Sequence, residues 1–405
     1  MKKIILTVAV IISAGALQAQ NLKTDGEIRT RAEYRDGFKS PLADTLNPTA
    51  VTALRTRINL NFADEKVAAK VTLQDVRAYG QTDTKNTGNG LGVFEAWGSY
   101  KFTPDFSLSL GRQAIEYDDK RIFSASNWSN GNAHDLALFK YENSSLFKLH
   151  AGVAFNNSSA DDLFEKPYTL TYKHLTYLWF AKSVGKIDLS ALYVNDALEY
   201  DATDADKKAY RNTMGANAAL KKKDIPLSFL ATAYYQFGHD SKNKELSAYL
   251  LAFNAAYKII EPLSVALGTD LYSGTAVDET EKSTSFNKLY GTNHSFNGSM
   301  EYWTTPPAQG LVDIFGGLTY KPNKKFDVNA TFHAFSLAEK PATGDKGLGS
   351  EVDITANYAI APQLALQGGY SVYFKTDQTD VIKKTANVDT RFPQWAYIQL
   401  TYKLK

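Results

Sequence analysis

The residues best equipped for chemistry in this chain are its arginines. There are ten, and eight fall before residue 122: Arg29, Arg31, Arg35, Arg55, Arg57, Arg77, Arg112 and Arg121. Carboxylates are interleaved with them at Glu27, Glu33, Asp75, Glu95 and Asp135. A guanidinium is planar, stays charged at any working pH and presents a fork of N–H donors that fits a carboxylate or phosphate. A row of arginines can bind an anion bidentately, or it can be neutralised by neighbouring acids in a ladder that ties adjacent strands together. Either role needs an element that sends alternate residues to one side.

Other chemistry is weakly supported. Six histidines (His134, His150, His174, His239, His294 and His333) are scattered, with no His-Glu-x-x-His spacing. Gly88-Asn89-Gly90-Leu91-Gly92 is glycine-rich, but no helix follows it to complete a phosphate cradle. His134 beside Asp135, and His294 beside Ser295, could be recruited to a catalytic triad, yet nothing in their spacing demands one. The chain has no cysteine, which excludes disulfides and thiolate metal sites. Catalytic residues, metal ligands and cofactors are therefore not expected.

The required alternation is present. From Lys23 to Arg35 the odd positions carry Lys23, Asp25, Glu27, Arg29, Arg31, Glu33 and Arg35, and the even ones Thr24, Gly26, Ile28, Thr30, Ala32 and Tyr34. Next, Leu54, Thr56, Ile58, Leu60 and Phe62 alternate with Arg55, Arg57, Asn59 and Asn61. Period two sends the two sets to opposite faces of a strand. Comparable runs recur to the end of the chain. They are joined alternately by short turns, such as Ala63–Lys66 and Thr103–Asp105, and by long polar segments, such as Asn156–Leu170 and Ser273–Gly310. About eighteen strands result. The fold expected is all-β: a transmembrane, antiparallel, up-and-down barrel with short periplasmic turns, long extracellular loops and both termini in the periplasm.

Composition agrees. Tyrosine and phenylalanine number 24 and 22 while mean hydropathy is −0.32. Residues 1–19 have the basic, apolar and small-residue regions of a secretory signal peptide, which leaves 20–405 as one barrel domain in the outer membrane of a Gram-negative cell. Removing its two lysines brings the 45 basic side chains level with the 43 acidic ones, so no nucleic-acid footprint is present. A plugged receptor needs about twenty-two strands, and the chain is too short for that. Early strands are neighbours in a meander. Arg29, Arg31, Arg55, Arg57, Arg77 and Arg112, with Glu27, Asp75 and Glu95, should form one basic wall, and Arg121 and Asp135 should sit at a hairpin end. A lumen so filled would be narrow, hydrated and selective for anions. The longest connection, Ser273–Gly310, is expected to fold into or over the pore mouth.

A series of motifs is shared with a known group. Leu54-Arg55-Thr56-Arg57-Ile58, Leu73-Gln74-Asp75-Val76-Arg77, Leu110-Gly111-Arg112-Gln113 with Arg121, and Trp128-Ser129-Asn130 with Asp135 resemble the N-terminal half of the alginate export family. Phe286-Asn287-Lys288-Leu289-Tyr290-Gly291 with His294 and Gly298, and Leu348-Gly349-Ser350-Glu351-Val352-Asp353, resemble its C-terminal half. The resemblance implies an eighteen-stranded barrel with a basic pore that passes an acidic polysaccharide outward, and it adds Glu351 and Asp353 to the candidate path. The chain departs from the family at Tyr117-Asp118-Asp119 and at Asn132-Ala133-His134-Asp135, where an arginine is replaced and an aspartate added. The partners implied are outer-membrane lipid, anionic saccharides or small anionic solutes, and periplasmic export proteins. The competing readings are a general or differently selective porin on the same barrel, and an outer-membrane enzyme or adhesin.

Overall fold

The structure, a computed structural model, describes residues 21–81, 90–125, 131–221, 223–292 and 294–404. Trp128-Ser129-Asn130 and Gly88-Asn89 lie outside the described residues.

The alternating runs form strands β1 (Leu22–Asp36), β2 (Thr49–Ala63), β3 (Val67–Ala78), β4 (Leu91–Lys101), β5 (Phe106–Gln113) and β6 (His134–Glu142). They continue as β7 (Lys148–Phe155), β8 (His174–Val184), β9 (Ile187–Glu199), β10 (Lys208–Leu220), β11 (Leu227–His239), β12 (Glu245–Ile260) and β13 (Leu263–Tyr272). After the two-residue β14 (Lys282–Ser283) come β15 (Leu311–Tyr320), β16 (Phe326–Ser336), β17 (Gly347–Ala361), β18 (Leu364–Lys375) and β19 (Gln394–Leu404). Each long strand pairs antiparallel with its predecessor, and β13 passes directly to β15. The ring closes when β1 pairs β19, from Gly26 opposite Leu404 to Asp36 opposite Gln394. The barrel thus has eighteen strands, and β14 is a short parallel graft on the end of β12.

Period two now separates inside from outside. Ile58, Leu60, Val71, Leu251, Phe253 and Ile398 are exposed on the outer face, where lipid replaces water. The sequence expectation and the structure differ mainly between elements. Strand β9 runs on to Glu199, where it stays paired with Lys208 of β10. The connection after β18 contains a helix, α1 (Asp377–Lys383), capped by Thr376, whose side chain accepts from the Thr379 N–H.

The larger difference is the interior. It is charged along β1–β4, but from β6 to β12 many inward positions of the extracellular half are apolar, with Leu136, Leu138, Leu175, Leu192, Val194, Tyr234, Leu246 and Leu250 buried beside polar residues such as Asp196, Arg211 and Gln236. An eighteen-stranded wall is too wide for its side chains to meet across the axis. The space is filled instead by the chain's own loops, whose Ile115, Tyr117, Phe123, Phe286, Met300, Tyr302 and Trp303 join those wall residues in one core. The interior is therefore part open lumen and part packed core, and not charged throughout.

A closed barrel should stay folded in cold detergent. The unboiled protein is expected to migrate at a different apparent mass from the boiled one, with a strand-dominated circular dichroism spectrum before boiling. One band under both conditions, or a helical spectrum, would contradict the architecture.

Candidate functional site: the loop-narrowed lumen

Two loops define what is left of the lumen. The first leaves β5 and folds inward along its described residues 114–125. Tyr117 stacks on Trp179 with centroids 4.8 Å apart, and Asp118 accepts from the Trp179 Nε1–H at 2.9 Å. Asp119 reaches the opposite wall to accept from the Thr232 hydroxyl at 2.7 Å. Arg121, fully enclosed, donates to Asp119 at 2.9 Å, to Asp270 at 2.7 Å and to the Tyr272 hydroxyl at 2.8 Å, with Phe296 3.7 Å from its guanidinium carbon. Burial pulls this guanidinium down, but Tyr272, Asp270 and Asp119 outweigh it and hold it above its ordinary value. Burial raises Asp118 above the usual carboxylate range, partly offset by its hydrogen-bond donors. Arg121 is thus a buried tie between a loop and β13.

The second loop, 273–310, enters as its length suggested. Asn287 exchanges two hydrogen bonds with the Gln236 amide, each 2.9 Å. The hydroxyl of Tyr290 donates to Asp196, itself paired with Arg211. Further on, the Met300 N–H donates to Glu351 at 2.7 Å and the Ser299 N–H to Asp353 at 3.1 Å. Gly298 is required there: its φ is +83°, and a Cβ would sit 2.6 Å from the Glu351 carboxylate. Tyr302 stacks face to face on Tyr373 at 4.1 Å, and Trp303 donates to the Tyr373 hydroxyl at 3.0 Å. Glu301 pairs with Lys39 at 2.8 Å and with His294.

Two cavities meet at the tip of this loop, both lined by His294, Ser295 and Thr355. One, of about 690 Å³, lies against β1–β4 and is lined by Arg29, Arg55, Arg57, Lys70, Phe94 and Glu95. The other, of about 410 Å³, is lined by Asp119, Arg121, Asp270, Asp313, His333 and Asp353. On the first wall Glu27 accepts from Arg29 at 2.9 Å and from Arg55 at 2.5 Å, while Lys70 pairs with Glu95 at 2.5 Å. Above them Arg31 and Arg35 share Glu33, at 2.7 and 2.9 Å. Arg57 differs. Its Nε donates to Gln74 at 2.7 Å and its face covers Phe94 at 4.1 Å, and it has no carboxylate partner among the described residues.

The sequence-derived candidates divide accordingly. Arg29, Arg31, Arg55, Arg57, Glu27 and Glu95 gather on one inward wall, with Glu351 and Asp353 on β17, three strands around the ring from β1. Asp75 and Arg77 pair with each other at 2.7 Å, but stand opposite Thr56 and Leu54, on the face that carries Ile58 and Leu60 outward. Arg112 and Asp135 lie directly opposite each other, 2.8 Å apart, on the outward face of Leu110. The register places both pairs away from the lumen, and the side chains of Arg112 and Asp135 are 40% and 59% exposed. The physical reason is parity, since Val71 and Leu73 share a face with Asp75, and Leu108 and Leu110 share one with Arg112. Lys70, Gln74 and Phe94 are inward instead, and the same parity would have found Lys70 and Gln74.

A family model described as alginate export matches residues 20–379. The chain belongs to the alginate export family. Several solved barrels are similar to it in fold. OccK11 (OpdR) of Pseudomonas aeruginosa has a TM-score of 0.63 at 11% identity, covering 95% of this chain and 96% of its own. OccAB3 of Acinetobacter baumannii has 0.63 at 12%, covering 95% and 99%. The outer membrane protein OpdK of Pseudomonas aeruginosa gives 0.63, 12%, 95% and 99%. No curated protein matches the sequence. Family and fold are those of outer-membrane transport channels.

In this family member the inward loops are held by buried polar ties, and these are testable. Arg121→Leu leaves Asp119 and Asp270 buried without their cation, which costs about 3–5 kcal/mol. Denaturant unfolding in detergent should show that loss, and unfolding at the wild-type midpoint would remove Arg121 from this role.

Two loop lysines give a pH dependence. Burial, then Arg121, pushes the Lys288 ammonium down to about 8, and burial does the same for Lys383. They donate to the carbonyls of Thr304 and Tyr302. Between pH 8 and the ordinary lysine value of about 10.4 the unfolded chain keeps protons that the folded form has lost, so stability rises with pH in that window. The thermal midpoint of the wild type should therefore gain on that of a Lys288→Met, Lys383→Met variant between pH 8 and 10. A constant gap would show that neither lysine is desolvated.

Proposed function

We propose that this channel passes anionic saccharides or other anionic solutes along the inward wall of β1–β3, and that Arg57 is the residue they meet. The mature protein, on this reading, is residues 20–405 as a single barrel, exported after loss of residues 1–19. The observation that supports it is the arithmetic of one wall. Arg29, Arg55, Arg57 and Lys70 face Glu27 and Glu95, so the cations outnumber the acids by two: Arg29 and Arg55 share Glu27, and Arg57 has no carboxylate partner among the described residues. A guanidinium with one face on Phe94 and one edge on Gln74 is held in a single orientation. It can offer its remaining donors to a carboxylate without losing side-chain freedom on binding. An anion moving along the wall exchanges part of its hydration for these donors.

The competing reading is a general porin. What favours it is the pairing of Arg29, Arg31 and Arg55 with Glu27 and Glu33, which spends most of the wall's charge on strand cohesion.

Planar-bilayer recordings separate the two. The wild-type channel should be anion-selective, and Arg57→Gln should shift the reversal potential toward cations. Half-block by an oligouronate should need about tenfold more of it in that variant, the worth of one charge-assisted hydrogen bond of ~1.5 kcal/mol. Arg112→Gln, on the outward face, is the matched control and should change neither. A wild-type channel with no ion preference and no response to acidic saccharide would establish the general porin.

A further inference from the structure

Two long loops turn into the barrel, and a third turns outward. The connection from β7 to β8, residues 156–173, is closed at its neck. There the Asn156 N–H donates to the Lys173 carbonyl at 2.8 Å and the Lys173 ammonium to the Asn157 amide oxygen at 3.1 Å. Beyond the neck, Glu165 pairs with Lys208 at 3.0 Å, and the Tyr168 N–H donates to Glu199, itself 3.6 Å from Lys208.

Register fixes the face on which those anchors stand. Phe155 is opposite His174, His174 opposite Ala197 and Ala197 opposite Tyr210, while Glu199 is opposite Lys208. Residues directly opposite each other, and residues two apart along a strand, share a face. Val153, Phe155, Leu178, Tyr193, Tyr210 and Met214 belong to this set and are 41–55% exposed, whereas Tyr177, Leu192 and Val194 of the alternate set join the interior core. Glu199 and Lys208 are therefore on the lipid-facing side. Ala197 and Glu199 are outward by the same register and yet only 0% and 6% exposed, and it is against this strand end that the loop's Glu165 and Tyr168 lie.

The strap leaves three large apolar side chains bare: Leu163, Phe164 and Leu170 are 95%, 72% and 82% exposed. Leu163 and Phe164 immediately precede Glu165. Lys208, which holds Glu165, is two residues or about 7 Å along β10 from Tyr210, on the outward surface where an aromatic girdle marks the membrane interface.

We propose that loop 156–173 is an outer-leaflet anchor, strapped to the outside of the wall so that Leu163, Phe164 and Leu170 enter the lipid interface beside Phe155 and Tyr210. Taking one such side chain out of water favours the inserted loop by about tenfold. Attraction to anionic headgroups does not carry the contact, because Asp161, Asp162 and Glu165 outnumber Lys166 and Lys173 on the segment. What the loop meets is hydrocarbon, continuous with the belt that already covers Val153 and Leu178.

The chain has no cysteine, so a single nitroxide label reports on the loop without background. The full barrel carrying Leu163→Cys is labelled and reconstituted in phosphatidylcholine vesicles. Collision of the label with oxygen, which concentrates in hydrocarbon, is compared with collision with a water-soluble nickel chelate. Leu178→Cys on the lipid-facing wall and Lys242→Cys in the exposed β11–β12 turn are the references. The label at 163 should favour oxygen, as the one at 178 does, and adding Lys208→Gln should shift it toward the chelate by releasing Glu165. Cold-detergent mobility checks that each variant is a folded barrel. Three results would overturn the proposal: a label at 163 as open to the chelate as the one at 242, no shift on adding Lys208→Gln, or spin–spin broadening that rises with the protein-to-lipid ratio. The last would make a second copy of the chain the partner.

Discussion

Everything in this molecule depends on the ladder between β1 and β19. Hydrocarbon offers no hydrogen-bond partner to a peptide group, so a sheet in lipid must have no open edge. Pairing Gly26–Asp36 with Gln394–Leu404 removes the last one. Closure turns the two faces of every strand into an inside and an outside, and from then on parity decides each side chain's environment. Arg55 and Thr56 are neighbours in sequence. One faces the charged lumen and the other the lipid side because the ring is closed.

Closure also creates a space that the wall cannot fill. The two inward loops solve this by different means on different sides. Against β6–β12 they meet apolar wall residues and build a core in which Phe123, Tyr177 and Tyr290 pack ring on ring. Against β17 they meet carboxylates, and Glu351 and Asp353 hold main-chain N–H groups of residues 299 and 300. Where the loops stop, at His294 and Ser295, the cavities begin. The lumen is the part of the interior that neither loop covers, so its charge is set by the uncovered wall, β1–β4.

The barrel was legible because period two is read from the chain without knowing its neighbours. Strand number, alternation of short and long connections, and the inward charges of β1 and β2 all follow from it. The basic wall was only partly legible. Residue type groups Asp75, Arg77 and Arg112 with it, although Val71, Leu73, Leu108 and Leu110 beside them already mark their face as the outward one. Other features were hidden for a stronger reason. The core formed by Tyr117, Phe123, Tyr290, Met300 and Trp303 joins residues more than a hundred positions apart in irregular segments, where no periodicity reports direction.

Arg121 and Arg57 show how hydration assigns a role to one residue type. A guanidinium moved from water into a dry interior loses several kcal/mol of solvation unless its surroundings replace it. Arg121 is buried at the edge of the second cavity, and the structure gives it Asp119, Asp270, the Tyr272 hydroxyl and the Phe296 ring together. Arg57 borders a cavity of about 690 Å³ and receives only an amide oxygen and an aromatic face, both neutral. Such a site is stable only if water supplies the missing solvation, and whatever supplies it can be exchanged. Adding a carboxylate beside Arg57 would make the wall more cohesive and, on the function proposed above, would take away the charge offered to an anion. Cohesion and selectivity compete for the same arginines, and along β1–β3 the division falls between Arg55, tied to Glu27, and Arg57, two residues further on.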